Sequence, residues 1–125
     1  MTLAVEFVQG GFSSGQANAA GGQYNTFTAA GSTITDATKI GASMAVVSGA
    51  DGTKGVYLSG NVGDEFFVFN NAGSTLKVYG DTSSVAISVA GTGLGTAGTA
   101  FSHLTYKAVI YKKVTTTQYL AFVTA

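Results

Sequence analysis

Apolar side chains in this 125-residue chain recur at every second position rather than at every third or fourth. Successive side chains of a strand point to opposite faces, so this period specifies strands and an all-β class. The predicted strands are Leu3 to Val8, Tyr24 to Ala29, Met44 to Ser48, Gly55 to Ser59, Glu65 to Asn70, Thr75 to Tyr79, Val85 to Val89, Leu104 to Tyr111 and Tyr119 to Val123. Nearly all are rich in Val, Ile, Thr, Tyr or Phe, which suit a pleated, half-buried surface. Asp51-Gly52 between two apolar runs predicts a hairpin, because the turn that matches strand twist needs positive φ. Asn70-Asn71-Ala72-Gly73 predicts a second one with a longer loop. The expected fold is a single antiparallel β-sandwich or β-barrel over residues 33–125. An N-terminal strand and an extended Gly-rich arm precede it over residues 1–32.

One predicted strand breaks the pattern. Phe66-Phe67-Val68-Phe69 is apolar on both faces, whereas a strand of a small sandwich has one core face and one wet face. Its return strand is conventionally amphipathic, with Leu76 and Val78 on one side and Thr75, Lys77 and Tyr79 on the other. A second layer must therefore cover Phe66 to Phe69, and it comes from the chain's own Gly-rich arms, a sister subunit or a foreign surface.

Length and charge narrow the function. A single domain of this size buries roughly 65% of its unfolded surface without metals or disulfides. There is no Cys, so no disulfide framework and no thiolate metal site is available. Charged residues make up 10% of the chain, and six Lys balance six acids with no Arg, against a usual charged fraction of about 25%. Nucleic acid is not an expected partner, since phosphate binding needs clustered surplus cations. So little charge with 11% aromatics leaves a surface that is poorly dispersed by itself, and part of it is expected to be covered. A membrane is not expected: residues 82–106 lack charge, but Gly, Ser and Thr make up about half of them, too polar for a spanning helix. Met1-Thr2-Leu3-Ala4-Val5-Glu6 shows no signal-peptide pattern.

Two segments lack the two-residue period. Residues 9–32 contain six Gly and no charge, and residues 90–100 are a run of small residues, a composition suited to flexible connection. The first also carries Phe12, Tyr24 and Phe27, spaced as anchors that would dock onto a neighbour.

Catalytic patterns fail on context. Gly11-Phe12-Ser13-Ser14-Gly15 matches G-x-S-x-G, with acids and then His103 downstream, but the elbow must enter a helix and Gln16 to Gly22 is Asn, Ala and Gly. Gly93-Leu94-Gly95-Thr96-Ala97-Gly98 matches G-x-G-x-x-G. A dinucleotide site needs a helix next and a downstream acid, yet no Asp or Glu follows Asp81. Asp64 and Glu65 are neighbours at a strand start, so their carboxylates face opposite sides and do not form an acid/base pair. His103 is the only histidine and is read as a surface or satisfied core residue. Lys112-Lys113 is expected exposed in the last turn. No catalytic residue, cofactor or metal ligand is assigned, and no enzyme is expected.

The run Lys54-Gly55-Val56-Tyr57-Leu58, Val62-Gly63-Asp64-Glu65, Val68-Phe69-Asn70-Asn71, Gly73-Ser74-Thr75-Leu76 and Val78-Tyr79 resembles a pattern in small structural proteins of tailed bacteriophages. Among these are head decoration, or cement, proteins. The likeness spans residues 34–123 and is tightest over 54–80, with Ser59, Gly80 and Tyr119 where the pattern often has Pro, Pro and Trp. The resemblance implies a non-enzymatic virion protein on the capsid surface, whose partner is the major capsid protein and which forms a homotrimer or, second, a dimer. Closed symmetry would give Phe66, Phe67, Val68 and Phe69 an identical partner as subunit interface. Phe7, Phe12, Tyr24 and Phe27 are the expected capsid contacts. The alternative is a fibre-tip or carbohydrate-binding module using Tyr24, Tyr57, Tyr106, Tyr111 and Tyr119 to stack on sugar rings.

Overall fold

The computed structural model describes residues 25–123. The predicted strand Leu3 to Val8, the G-x-S-x-G pattern, Phe7, Phe12 and Tyr24 lie outside them. The described residues form ten strands and no helix: β1 Asn25–Thr28, β2 Thr38–Ile40, β3 Met44–Ser48, β4 Gly55–Leu58, β5 Glu65–Asn70, β6 Leu76–Tyr79, β7 Ala86–Val89, β8 Phe101–His103, β9 Ala108–Thr115 and β10 Gln118–Val123. The all-β class is therefore as the two-residue period specifies.

The strands make two sheets, ordered β1-β3-β5-β9-β10-β7 and β2-β4-β6-β8. Over its first six strands the chain alternates between them, and each return is parallel to the strand one coil earlier. β1, β3 and β5 stack in the first sheet, and β2, β4 and β6 stack in the second. Antiparallel pairing enters only later, as β9 against β5 and β10 and as β8 against β6. The expectation of antiparallel pairing is thereby corrected: both sheets are mixed.

Neither predicted hairpin pairs its flanking strands. The Asp51-Gly52 turn carries the chain from β3 in one sheet to β4 in the other, and residues 71–75 do the same between β5 and β6. The turn chemistry itself is as expected. Gly52 has φ +92°, and the Asp51 carboxylate accepts from the Thr53 and Lys54 amides at 2.9 and 3.0 Å. Turn residues specify a local reversal, but not which sheet receives the next strand.

Inward positions of both sheets build one core. Ile40, Val56, Leu58, Leu76 and Val78 come from the four-stranded sheet, and Val47, Phe66, Val68, Val109, Tyr111 and Tyr119 from the six-stranded one. β1, placed by sequence in the N-terminal arm, is hydrogen-bonded into the larger sheet. Residues 90–100 form no strand, but they are tied down: Gly95 N–H donates to Ser88 Oγ at 2.8 Å and Gly98 N–H to the Val85 carbonyl at 3.0 Å. Beneath them β7 is largely buried, with Ala86, Ile87 and Ser88 nearly inaccessible.

Of the expected strand Leu104 to Tyr111 only residues 108–111 are strand, as the start of β9; residues 104–107 connect β8 to β9 through a turn in which Tyr106 has φ +55°. β9 then runs through Lys112 and Lys113, which the sequence places in a turn; the turn lies at 116–117. Alternation along β9 puts Lys113 on the core face with Val109 and Tyr111, and Lys112 on the outer face with Ile110.

Candidate contact face

Period two divides β5 cleanly. Phe66 and Val68 point into the core, and the Phe66 ring lies 6.2 Å from that of Tyr119. Phe67 and Phe69 point outward, and Phe67 is 39% exposed. Of the four residues expected at a subunit interface, then, Phe66 and Val68 belong to the core, and Phe67 and Phe69 alone can meet another surface.

Outward apolar residues continue on both sides of β5. Across the ladders Met44 pairs with Phe67 and Val46 with Phe69; Phe67 also pairs with Ile110, and Ile110 with Phe122. Met44, Val46 and Phe69 are half-buried, while Ile110 and Phe122 are exposed. The outer face of the larger sheet is thus an apolar band crossing β3, β5, β9 and β10. At its margin Lys112 Nζ lies 3.2 Å from Glu65 Oε2, both exposed. Sequence reasoning found the Phe67 and Phe69 part. It missed Met44, Val46, Ile110 and Phe122, because the signal is additive across strands and needs the order β3-β5-β9-β10 to be seen.

Two polar clusters lie inside. On β9, Lys113 Nζ is 3.1 Å from Asp81 Oδ2, donates to the Gly60 carbonyl at 3.0 Å and lies 5.5 Å from the centre of the Tyr119 ring. Tyr119 donates its hydroxyl to Asp81 Oδ1 at 2.5 Å. Burial, and then the Asp81 carboxylate, push the Tyr119 hydroxyl far above its ordinary range. With a cation and a phenol both paired to one carboxylate, this cluster neutralises a buried lysine.

The second cluster holds His103. Its Nε2 lies 2.6 Å from the Lys107 carbonyl and its Nδ1 lies 2.8 Å from the Tyr111 hydroxyl. A carbonyl only accepts, so Nε2 carries the proton and neutral Nδ1 accepts from Tyr111. Burial lowers the His103 pKa, partly opposed by the Lys107 carbonyl. Asn70 Nδ2 donates to the Ser74 carbonyl at 2.9 Å and the His103 carbonyl at 3.2 Å. His103 is thus a satisfied core residue, one of its two expected settings.

The neighbouring carboxylates of Asp64 and Glu65 have separate partners. Asp64 Oδ2 accepts from the Asn61 amide at 2.8 Å, while Glu65 faces Lys112. Among the described residues no three His, Cys, Asp or Glu side chains are placed to hold a metal ion, and no helix is long and apolar enough to cross a membrane. Tyr111 and Tyr119, expected among the sugar-stacking residues, are fully buried; Tyr106 is 62% exposed. Phe27, an expected capsid anchor, is half-buried against the core. No family model matches the chain, and neither a curated protein nor a solved structure matches it.

Proposed function

We propose that the chain is a non-enzymatic virion structural protein of the head decoration type, a homo-oligomeric β-sandwich that binds the outside of a phage capsid and stabilises it. The apolar band over β3, β5, β9 and β10 carries this reading. Exposed Phe67, Ile110 and Phe122 lie in one register row, and a contiguous apolar patch of this kind marks an interaction surface. In this reading the band is the subunit contact, closed by two- or three-fold symmetry. The Gly-rich segment around Phe12 and Tyr24 then faces the shell. Many weak copies on a symmetric lattice would sum to a large barrier against shell opening.

Sedimentation of the purified protein over a wide concentration range tests the contact. A dimer or trimer that persists on dilution and dissociates in Phe67→Glu is the expected result. A monomer at all concentrations sinks the subunit contact, and failure to co-sediment with naked capsids sinks the decoration role.

A further inference from the structure

The outer faces of the two sheets differ. The six-stranded sheet carries the apolar band, whereas the four-stranded sheet turns a tyrosine pair outward. Tyr57 of β4 lies beside Tyr79 of β6 in the ladder, with Val56, Leu58 and Val78 on the core side. The segment after β1 folds over one of the two rings: Tyr79 donates its hydroxyl to the Ser32 carbonyl at 3.1 Å and is 7% exposed. Tyr57 is only half-buried. It lines a recess of about 440 Å³ together with Ile34 and Thr35, from the loop before β2, and Asp81, Thr82 and Ser83, from the loop after β6.

Both loops are held before any ligand arrives. Asp36 Oδ1 accepts from the Ser32 and Thr33 amides at 3.2 and 2.9 Å and from Thr33 Oγ1 at 2.8 Å, which fixes the turn that carries Ile34 and Thr35. Thr33 gives its one hydroxyl proton to Asp36, so in the 2.9 Å contact between the two threonines Thr35 is the donor and its oxygen remains an acceptor. In the other loop Asp81 is pinned by the Tyr119 hydroxyl, Lys113 Nζ and the Gly60 amide at 2.5, 3.1 and 3.3 Å. A carboxylate has about four lone-pair sites, so these donors leave it able to accept once more, and the Asp81 side chain is 22% exposed. Thr82 and Ser83 add exposed hydroxyls.

Charge balance selects the ligand. Of the six lining residues only Asp81 is charged, and Lys113 neutralises it, so the recess has no surplus charge to hold a metal ion, an ammonium group or a phosphate. It presents an aromatic ring beside fixed carboxylate and hydroxyl groups, a setting for an uncharged molecule that is apolar on one face and hydroxylated at its rim. A pyranose has that form: its C–H face packs on an aromatic ring and its hydroxyls exchange hydrogen bonds with carboxylate and hydroxyl partners. We propose that the recess between residues 33–36 and 81–83 binds a neutral hexose unit of a glycan, with Tyr57 as the stacking platform and Asp81, Thr35 and Ser83 as hydrogen-bond partners. The site lies on the other sheet from the apolar band, so subunit contact through that band leaves it open, and symmetry would multiply weak sugar contacts. The inference goes beyond the decoration reading and does not depend on it.

Titration of the isotope-labelled full chain with glucose, galactose, mannose, N-acetylglucosamine and N-acetylneuraminic acid, followed by an array of neutral oligosaccharides built from the first four, tests it. At least one neutral sugar should shift the Tyr57, Thr35 and Ser83 amides while leaving Phe67 and Ile110 unmoved. For that sugar Tyr57→Phe should retain binding, and Tyr57→Ala should weaken it about tenfold, the scale of one lost stacking contact. Should Tyr57→Ala fail to fold, Ser83→Trp fills the recess from an exposed position and should abolish binding with the β9 and β10 amides unchanged. Absence of both shifts and array signal for every neutral sugar overturns the proposal. So do shifts confined to other residues, binding of the acidic sugar alone, or binding that survives Ser83→Trp. Capsid co-sedimentation is a separate readout, so the sugar site and the decoration role fall independently.

Discussion

The Tyr111 hydroxyl of β9 donates to His103 Nδ1 of β8 at 2.8 Å, joining the two sheets through the middle of the core. This bond requires a neutral ring. The unfolded chain takes up a proton as pH falls through about 6.5, the ordinary histidine value, whereas folded His103 has its pKa lowered by burial. The unfolded state therefore binds more protons below that value. Stability should be level above pH 6.5 and decline as the pH drops towards the folded pKa. Urea midpoints between pH 8 and pH 5 check this, a range in which ordinary carboxylates stay ionised. His103→Gln should flatten the slope, and an unchanged slope would remove His103 as its cause.

Tyr111→Phe keeps the ring but deletes the donor. It leaves His103 Nδ1 buried without a partner, which costs about 1–3 kcal/mol. Denaturant unfolding at pH 7.5 should show a loss in this range.

The two sides of β5 should respond oppositely to truncation. Phe66→Ala opens a cavity beside Tyr119 and should lower stability by about 3–5 kcal/mol. Phe67→Ala, on the outer face, should leave the unfolding of the monomer within about 1 kcal/mol, since surface changes away from special features are small. Under the proposed contact it should instead weaken self-association. Paired unfolding and sedimentation measurements on both variants separate the two roles.

Asp81 sits between Lys113 and Tyr119, so removing its charge strands a lysine that is only 8% exposed. Asp81→Ala should destabilise by about 3 kcal/mol, because an uncompensated buried charge is worse than a lost pair. Lys113→Met in the same background should recover part of that loss. If the double variant is no more stable than Asp81→Ala, the lysine charge is not the source of the cost.

Gly55 is required by space rather than by φ. A Cβ there would meet the Lys77 carbonyl oxygen of β6 at 2.7 Å, a backbone atom with no freedom to withdraw. Gly41 faces open space within 4 Å. Gly55→Ala should lower the melting temperature clearly, while Gly41→Ala should be neutral or slightly stabilising by reducing the freedom of the unfolded chain. Thermal unfolding of the two variants is the check.

Much of the local structure was legible in the sequence. Met44–Ser48 and Glu65–Asn70 are strands over their full predicted spans, because alternation over five or six residues is a strong signal. Thr38–Ile40 and Phe101–His103 were missed: three residues are too few to show a period, and their strand character comes from the ladders on β4 and β6. Pairing was the weaker part, since Asp51-Gly52 and Asn70 to Gly73 look like hairpin turns whether the chain returns to the same sheet or crosses to the other. Lys113 was misplaced because charge suggests exposure, whereas its inward position follows from Val109 and Tyr111 on the same strand. The contact face was half legible for a similar reason. Phe67 and Phe69 stand out along the chain, but Ile110 and Phe122 join them only through the register.

The alternation of β1 to β6 between two parallel stacks gives the molecule a direction. At one end β8, β9 and β10 turn back antiparallel; at the other, β1 and β2 present strands that match the format of the coils behind them. Removing the β1–β2 coil would break described ladders only with β3 and β4. The same change between β3 and β6 would sever ladders on both sides. Among the described strands, the β1–β2 end is thus where a whole coil is lost at the least cost in pairing, and the inner coils are the fixed part of the stack.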